Sequence, residues 1–215
     1  MKETLFNQGY LIEKGAICPN ALHQARSVKQ NQINSCIACD SEKDVLRIPL
    51  AYGQISSFRP VIKQALKSQL LAEIFKGLQI LNFSLLRQPF KGFGAQKLHR
   101  DNNKETEEII GFISLDKIDN FNGPLELRPY SHIKNSKFKY PTKKIKMRPG
   151  DIIWYLPKLE HGGTKNLSGK SRRVIIISVT KQILHPKNSL DERKLLKKSN
   201  YTASDLRLLL PLNDC

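Results

Sequence analysis

The sequence predicts a mainly β protein: a jelly-roll-like core held between helical flanks. Three observations predict it. Downstream of Gly77 the chain is cut into short apolar runs by turn residues. Upstream of Gly77, apolar residues recur at helical spacing behind two prolines. The length of 215 residues fits one domain that buries a core without disulfides or a structural metal.

In chain order, Pro19-Asn20 opens a helix expected to run to about Lys29, proline being favoured at the first helical position. Val45 to Leu50 reads as a strand. Pro60 opens a second helix, with Val61, Ala65, Leu66, Leu70, Ile74, Phe75 and Leu78 at helical spacing. The strand-like runs are Ile80–Arg87, Ile109–Leu115, Leu125–Arg128, Lys143–Met147, Asp151–Leu156 and Arg172–Thr180. Pro89, Gly92, Gly94, Asn122-Gly123-Pro124, Pro149-Gly150 and Gly162-Gly163 separate them. From Ser189 onward the pattern turns helical and amphipathic again. The expectation is a single domain over 1–215. Residues 1–79 form a helical flank with one or two strands, 80–180 the jelly-roll core, and 181–215 a helical extension.

Composition narrows the class. Hydrophobic residues at 40% and charged residues at 26% exclude global disorder. No apolar run reaches the length of a membrane span, and Met1-Lys2-Glu3-Thr4 begins no secretory signal. Cys18, Cys36, Cys39 and Cys215 are too few and too scattered for a disulfide scaffold. A cytoplasmic protein is expected. The net charge of +17 is uneven, because residues 131–200 hold 18 basic and 4 acidic residues. That excess is either a solvated lysine-rich face or a footprint for nucleic acid or another polyanion.

His99 and Asp101 lie two apart in Leu98-His99-Arg100-Asp101. In an extended chain they share one face, with Leu98 and Arg100 turned away. One imidazole and one carboxylate supply two-thirds of a 2-His-1-carboxylate facial triad, which suits non-haem Fe(II) and leaves three positions open. His161 is the candidate third ligand, after the apolar run Asp151–Leu156 and directly before Gly162-Gly163. Arg172 and Arg173 open the last strand, and an inward arginine there would pair with a small dicarboxylate. Alternation alone does not choose between them, because both faces of that strand are apolar.

Taken together, these residues form an ordered set that resembles the phytanoyl-CoA dioxygenase family of Fe(II)/2-oxoglutarate-dependent oxygenases. Gln96-Lys97-Leu98-His99-Arg100-Asp101 resembles its His-x-Asp segment. Asn122-Gly123-Pro124-Leu125-Glu126-Leu127-Arg128-Pro129-Tyr130-Ser131-His132 resembles its NGxLxxxPGSH turn, with Tyr130 where glycine is usual. Pro149-Gly150-Asp151 matches its PGD turn, and His161, Asn166, Ser168 and Arg172 match the spacing H-x4-N-x-S-x3-R. Weaker similarity covers Leu5 to Leu11.

The resemblance implies a double-stranded β-helix of the jelly-roll, cupin-like kind. It implies that His99, Asp101 and His161 ligate iron and that Arg172, rather than Arg173, binds the distal carboxylate of 2-oxoglutarate. Ser84, Arg87, Gln88 and Gln96 lie on segments approaching the site, and Ser84 and Gln96 are the further candidates for the cosubstrate pocket. With O2, the implied reaction is oxidation of a small-molecule substrate with release of succinate and CO2. Asp101 stands where related halogenases carry a small residue, which favours hydroxylation. The basic stretch leans towards an anionic substrate. The competing reading is a non-catalytic basic jelly-roll module for nucleic acid. Cys18, His23, Cys36 and Cys39 could build a zinc site, though plain thiols explain them more simply. His132 reads as a structural residue of its turn.

Overall fold

The computed structural model describes residues 1–28, 46–49, 56–75, 78–88, 96–103, 106–133, 140–170 and 172–181, with 46–49 and 78–88 described in their backbone alone. Its elements are α1 (Lys2–Gln8), β1 (Tyr10–Glu13), α2 (Pro19–Arg26), β2 (Leu46–Pro49), a 3-10 turn (Ser56–Phe58), α3 (Arg59–Leu66) and α4 (Gln69–Ile74). The β-rich part follows as β3 (Leu78–Gln88), β4 (Ile109–Ser114), β5 (Leu125–Leu127), β6 (Lys143–Ile145), β7 (Ile152–Tyr155), β8 (His161–Gly163) and β9 (Arg172–Lys181).

The strands form two antiparallel sheets. Six make the major sheet in the order β1-β7-β4-β9-β3-β2, and three make the minor sheet in the order β6-β5-β8. This is the jelly roll that the short apolar runs predict, and it leaves three layers: helices, major sheet, minor sheet. The central strands β4 and β7 are buried along their whole length, so they read as continuous apolar runs. One core lies between the helices and the major sheet and includes Leu5, Phe58, Val61, Leu70, Trp154, Ile175 and Ile177. The other fills the space between the sheets, with Tyr10, Phe112, Leu127, Ile153, Tyr155 and Val174.

The split between these cores sorts the residues of β9. Ile175, Ile177 and Val179 join the helix-side core, whereas Val174 joins the inner one and Ile176 packs against it. By alternation Arg172 and Ser178 point between the sheets and Arg173 points to the helices. Trp154 is fully buried in the core. It sits opposite Gly111 on β4, where an added Cβ would lie 2.5 Å from the indole, and its Nε1–H donates to Glu13 at 2.7 Å.

Two helical expectations change. The helix opened by Pro19, α2, ends at Arg26 rather than about Lys29. The second is two helices, because Ser68 takes an extended ψ of 131° and its hydroxyl donates to Glu13 Oε1 at 2.8 Å. A contact to a strand 55 positions away in sequence overrides local helical spacing. The expected helix beyond Ser189, and Cys36 and Cys39, lie outside the described residues. Cys18 is exposed, with its sulfur accepting from Gln64 Nε2 at 3.1 Å.

The PGD turn locks the edge of the major sheet. Gly150 has φ 88°, and a Cβ there would lie 2.7 Å from the Ile17 carbonyl, so only glycine fits. Asp151 is buried and accepts from Lys14 Nζ at 2.8 Å, Gly15 N at 2.9 Å and Arg148 N at 2.8 Å. Burial pushes its carboxyl up, but these bonds and the Lys14 charge outweigh that and hold it below the usual range. A depressed folded value means stability present at neutral pH and lost as pH falls through it. Asp151→Asn is expected to lower stability at pH 7 by about 1–3 kcal/mol. In denaturant titrations the gap to wild type should close below about pH 4.

Candidate metal centre

Leaving β7 at Tyr155, the chain makes a turn closed by Leu159 N donating to Leu156 O at 2.8 Å. It enters β8 at His161, whose register partner on β5 is Leu127. The 96–101 segment lies along β8. His99 and His161 exchange two backbone bonds of 2.9 Å each, and Gln96 N donates to Gly163 O at 2.9 Å. Asp101 N donates to Pro157 O at 3.0 Å, which fixes the carboxylate beside the turn. Both segments are thereby held to each other by backbone, before any side chain acts.

This frame brings the three expected ligands together. Asp101 Oδ1 lies 3.6 Å from His99 Nε2, and its Oδ2 lies 3.4 Å from His161 Nε2. One ligand atom from each residue falls within 4.8 Å of the others. His99 Nδ1 and His161 Nδ1 each lie 2.9 Å from a backbone carbonyl, of Lys97 and Leu159 respectively. A carbonyl only accepts, so each Nδ1 carries the proton and each Nε2 turns its lone pair to the centre. Burial pushes His161 below the usual imidazole range, only partly offset by the Asp101 charge. It is therefore neutral, as a metal ligand must be. The Tyr155 ring backs it at 4.6 Å. His161 is buried, while the side chains of His99 and Asp101 are 40% and 36% exposed, so the centre opens on their side.

Arg172 lies inside the jelly roll, 2% exposed, its guanidinium 5.5 Å from the centroid of the Phe112 ring. Its Nε and Nη1 are buried and, among the described residues, have no hydrogen-bond partner. Burial pushes it down to about 10, with Asp116 acting in the opposite sense. Asp116 itself is held bidentately by Arg173, at 2.9 and 3.1 Å, on the other face. The two arginines are thus separated: Arg173 is a structural ion pair, and Arg172 is a buried cation with orphaned donors. Such a group lacks a planar anion, and a carboxylate is its natural complement.

The other candidates divide. Gln96 Oε1 accepts from Gly163 N at 3.1 Å, so its amide is engaged in scaffolding the ligand segment. Ser84 lies on β3 opposite Ile176, and Gln88 opposite Arg172, with their side chains outside the description. His132 donates its Nε2–H to Phe6 O at 2.9 Å and stands apart from the triad. Tyr130 has φ 64°, the left-handed conformation that explains why glycine is usual there. Glu160 was not singled out from the sequence. It pairs with Arg100 at 2.9 Å and Arg128 at 3.3 Å, tying both ligand segments to the 128–132 turn.

Gly162 is required by close approach. A Cβ there would lie 2.9 Å from Gln96 O and 3.2 Å from Lys97 O, both backbone. Gly162→Ala should push the 96–99 segment off β8 and lower metal affinity by about 10–100-fold, the scale of losing ligand support. Calorimetric titration of the metal checks this.

A family model described as phytanoyl-CoA dioxygenase matches residues 20–174. The chain belongs to that family. A curated relative, "Dioxygenase olcK" of Penicillium canescens, is 32% identical over 113 residues, 46% of this chain. The match spans only 37% of that relative's length. Among solved structures, the non-heme alpha ketoglutarate dependent epimerase SnoN from nogalamycin biosynthesis superposes with a TM-score of 0.71 at 13% identity. That superposition covers 84% of this chain and 81% of SnoN. HygX from Streptomyces hygroscopicus, solved with nickel and 2-oxoglutarate bound, gives 0.65 at 16% identity, over 85% of this chain and 88% of HygX. At these identities the superpositions establish the jelly-roll fold of the family. Among the described residues, no helix is long and apolar enough to cross a membrane.

Proposed function

We propose that the chain is an Fe(II)- and 2-oxoglutarate-dependent dioxygenase that hydroxylates a small organic substrate and releases succinate and CO2. The observation that carries this reading is the pairing of a 2-His-1-carboxylate cluster on the minor-sheet side with a buried, donor-rich Arg172 that points between the sheets from the major one. The donor set fits the group: two neutral imidazole nitrogens and one carboxylate favour Fe(II) with open positions. Iron with its 2-oxoglutarate cosubstrate would supply the activation of O2, which no protein side chain provides.

The protein's own part is positional. His99, Asp101 and His161 would hold the metal, with Lys97 O and Leu159 O keeping both imidazoles in the required tautomer. Arg172 would take the distal carboxylate of the cosubstrate through its Nε and Nη1 donors, in a site closed to water. The apolar wall of Phe112, Ile153 and Tyr155 strengthens that pairing by lowering the local dielectric. The half-exposed side at His99 and Asp101 is where substrate and O2 would enter. Asp101 as third ligand leaves no place for a halide, which supports hydroxylation.

The test is turnover with Fe(II), 2-oxoglutarate and O2 against fractionated small metabolites. Expected are iron-dependent succinate and a product heavier by one oxygen atom. Iron-dependent succinate with a product lighter by two hydrogens would keep the dioxygenase and refute the hydroxylase. No iron-dependent succinate with any fraction would overturn the reading.

A further inference from the structure

The proposed mechanism meets the interior face of the major sheet at two places: Tyr155, which backs His161 of the minor sheet, and Arg172 over Phe112. A third polar feature on that face has no part in it. Ser178 shares the inward side of β9 with Val174 and Ile176. Its register partner on β4 is Ile110, and the partner of Ile110 on β7 is Tyr155. The three side chains therefore form one row across the sheet, with neighbours about 5 Å apart. That row reaches the ring that backs His161.

Ser178 is 8% exposed, and its hydroxyl donates to the carboxylate of Glu108, which stands immediately before β4. Glu108 is half-buried. Among the described residues, the Ser178 hydroxyl is the only donor to that carboxylate, and no cation pairs with it. A carboxylate offers about four acceptor sites, and among the described residues one is used. Among the described residues this half-buried carboxylate has no counter-ion, which in a chain of net charge +17 marks a place where positive charge is wanted. Among the described lysines of the basic stretch, Lys143, Lys144, Lys165 and Lys170 are exposed to solvent.

We propose that Glu108, oriented by Ser178, which stands roughly 10 Å along the row from Tyr155, anchors a cationic amine of the substrate. The inference rests on the dioxygenase reading and gives its substrate a class. The substrate is a small molecule whose ammonium group pairs with Glu108 while its reacting carbon reaches the triad. A neutral hydroxyl in the same place would leave the carboxylate uncompensated, and an acid would be repelled. This selects against the anionic substrate that the overall charge suggests.

The test loads the full chain anaerobically with Mn(II) and 2-oxoglutarate. Proton line broadening by the paramagnetic ion is then followed in three matched probes: cyclohexylamine, cyclohexanol and cyclohexanecarboxylate. Cyclohexylamine is expected to be broadened in preference to the other two, with apparent affinity falling about tenfold in Glu108→Gln. Ser178→Ala should give a smaller loss, and circular dichroism verifies that both variants are folded. Amine broadening no greater than that of the alcohol, or unchanged in Glu108→Gln, overturns the inference. A wild type that binds neither Mn(II) nor 2-oxoglutarate refutes the dioxygenase reading itself, and this inference with it.

Discussion

Asp101→Ala is expected to weaken Fe(II) binding by more than about a hundredfold and to remove iron-dependent succinate formation. Of the three candidate ligands, the carboxylate is the one that lies beside both imidazoles, at 3.6 and 3.4 Å. Its side chain is 36% exposed, and its backbone bond to Pro157 O survives the substitution, so the fold should persist. Two imidazoles alone make a weaker and neutral site. His161→Ala should remove binding equally but also cost stability, because it empties a buried position against Tyr155. Metal titration and thermal unfolding on both variants separate the two effects. Retained affinity in Asp101→Ala would place the metal elsewhere.

Arg172→Leu should move two observables in opposite directions. Without a bound dicarboxylate, the wild-type protein carries a buried guanidinium with Nε and Nη1 unpaired. Replacing a buried, uncompensated charge by an apolar side chain is expected to leave the ligand-free protein as stable or more stable, by up to about 2 kcal/mol. Removing a bidentate, desolvated partner should lower kcat/KM for 2-oxoglutarate by about a hundredfold, and the thermal protection by 2-oxoglutarate should vanish. Arg172→Lys keeps the charge but loses the planar fork, and should fall between. Arg173→Leu makes the contrast: it breaks the Asp116 ion pair and the bond from Nη1 to Arg26 O, so it should destabilise the fold. An Arg172→Leu protein that keeps wild-type 2-oxoglutarate protection would refute the assigned role.

Much of the site was legible in the sequence because its spacing and the local backbone agree. His99 and Asp101 converge as an extended pair should, and Arg100 turns away to Glu160. The choice between Arg172 and Arg173 was not legible from alternation. Both faces of β9 are covered, one by helices and one by the minor sheet, so neither reads as polar. Three other features depend on partners distant in sequence. β8 is three residues long, His-Gly-Gly, too short for any periodicity. The break at Ser68 is set by Glu13, and the ligand frame by the His99–His161 backbone pair. Glu108 left no signal, since a glutamate before a strand is commonplace until Ser178 is seen beside it.

The most direct test of the central claim is optical. Purified apo-protein is mixed anaerobically with Fe(II) and 2-oxoglutarate, and the visible metal-to-ligand charge-transfer band is recorded beside His99→Ala and Arg172→Ala. A band in wild type that is absent in His99→Ala and weakened in Arg172→Ala is the predicted result, because chelation requires the metal and the distal anchor together. A folded, iron-supplemented wild type that shows no band would contradict the account at its root.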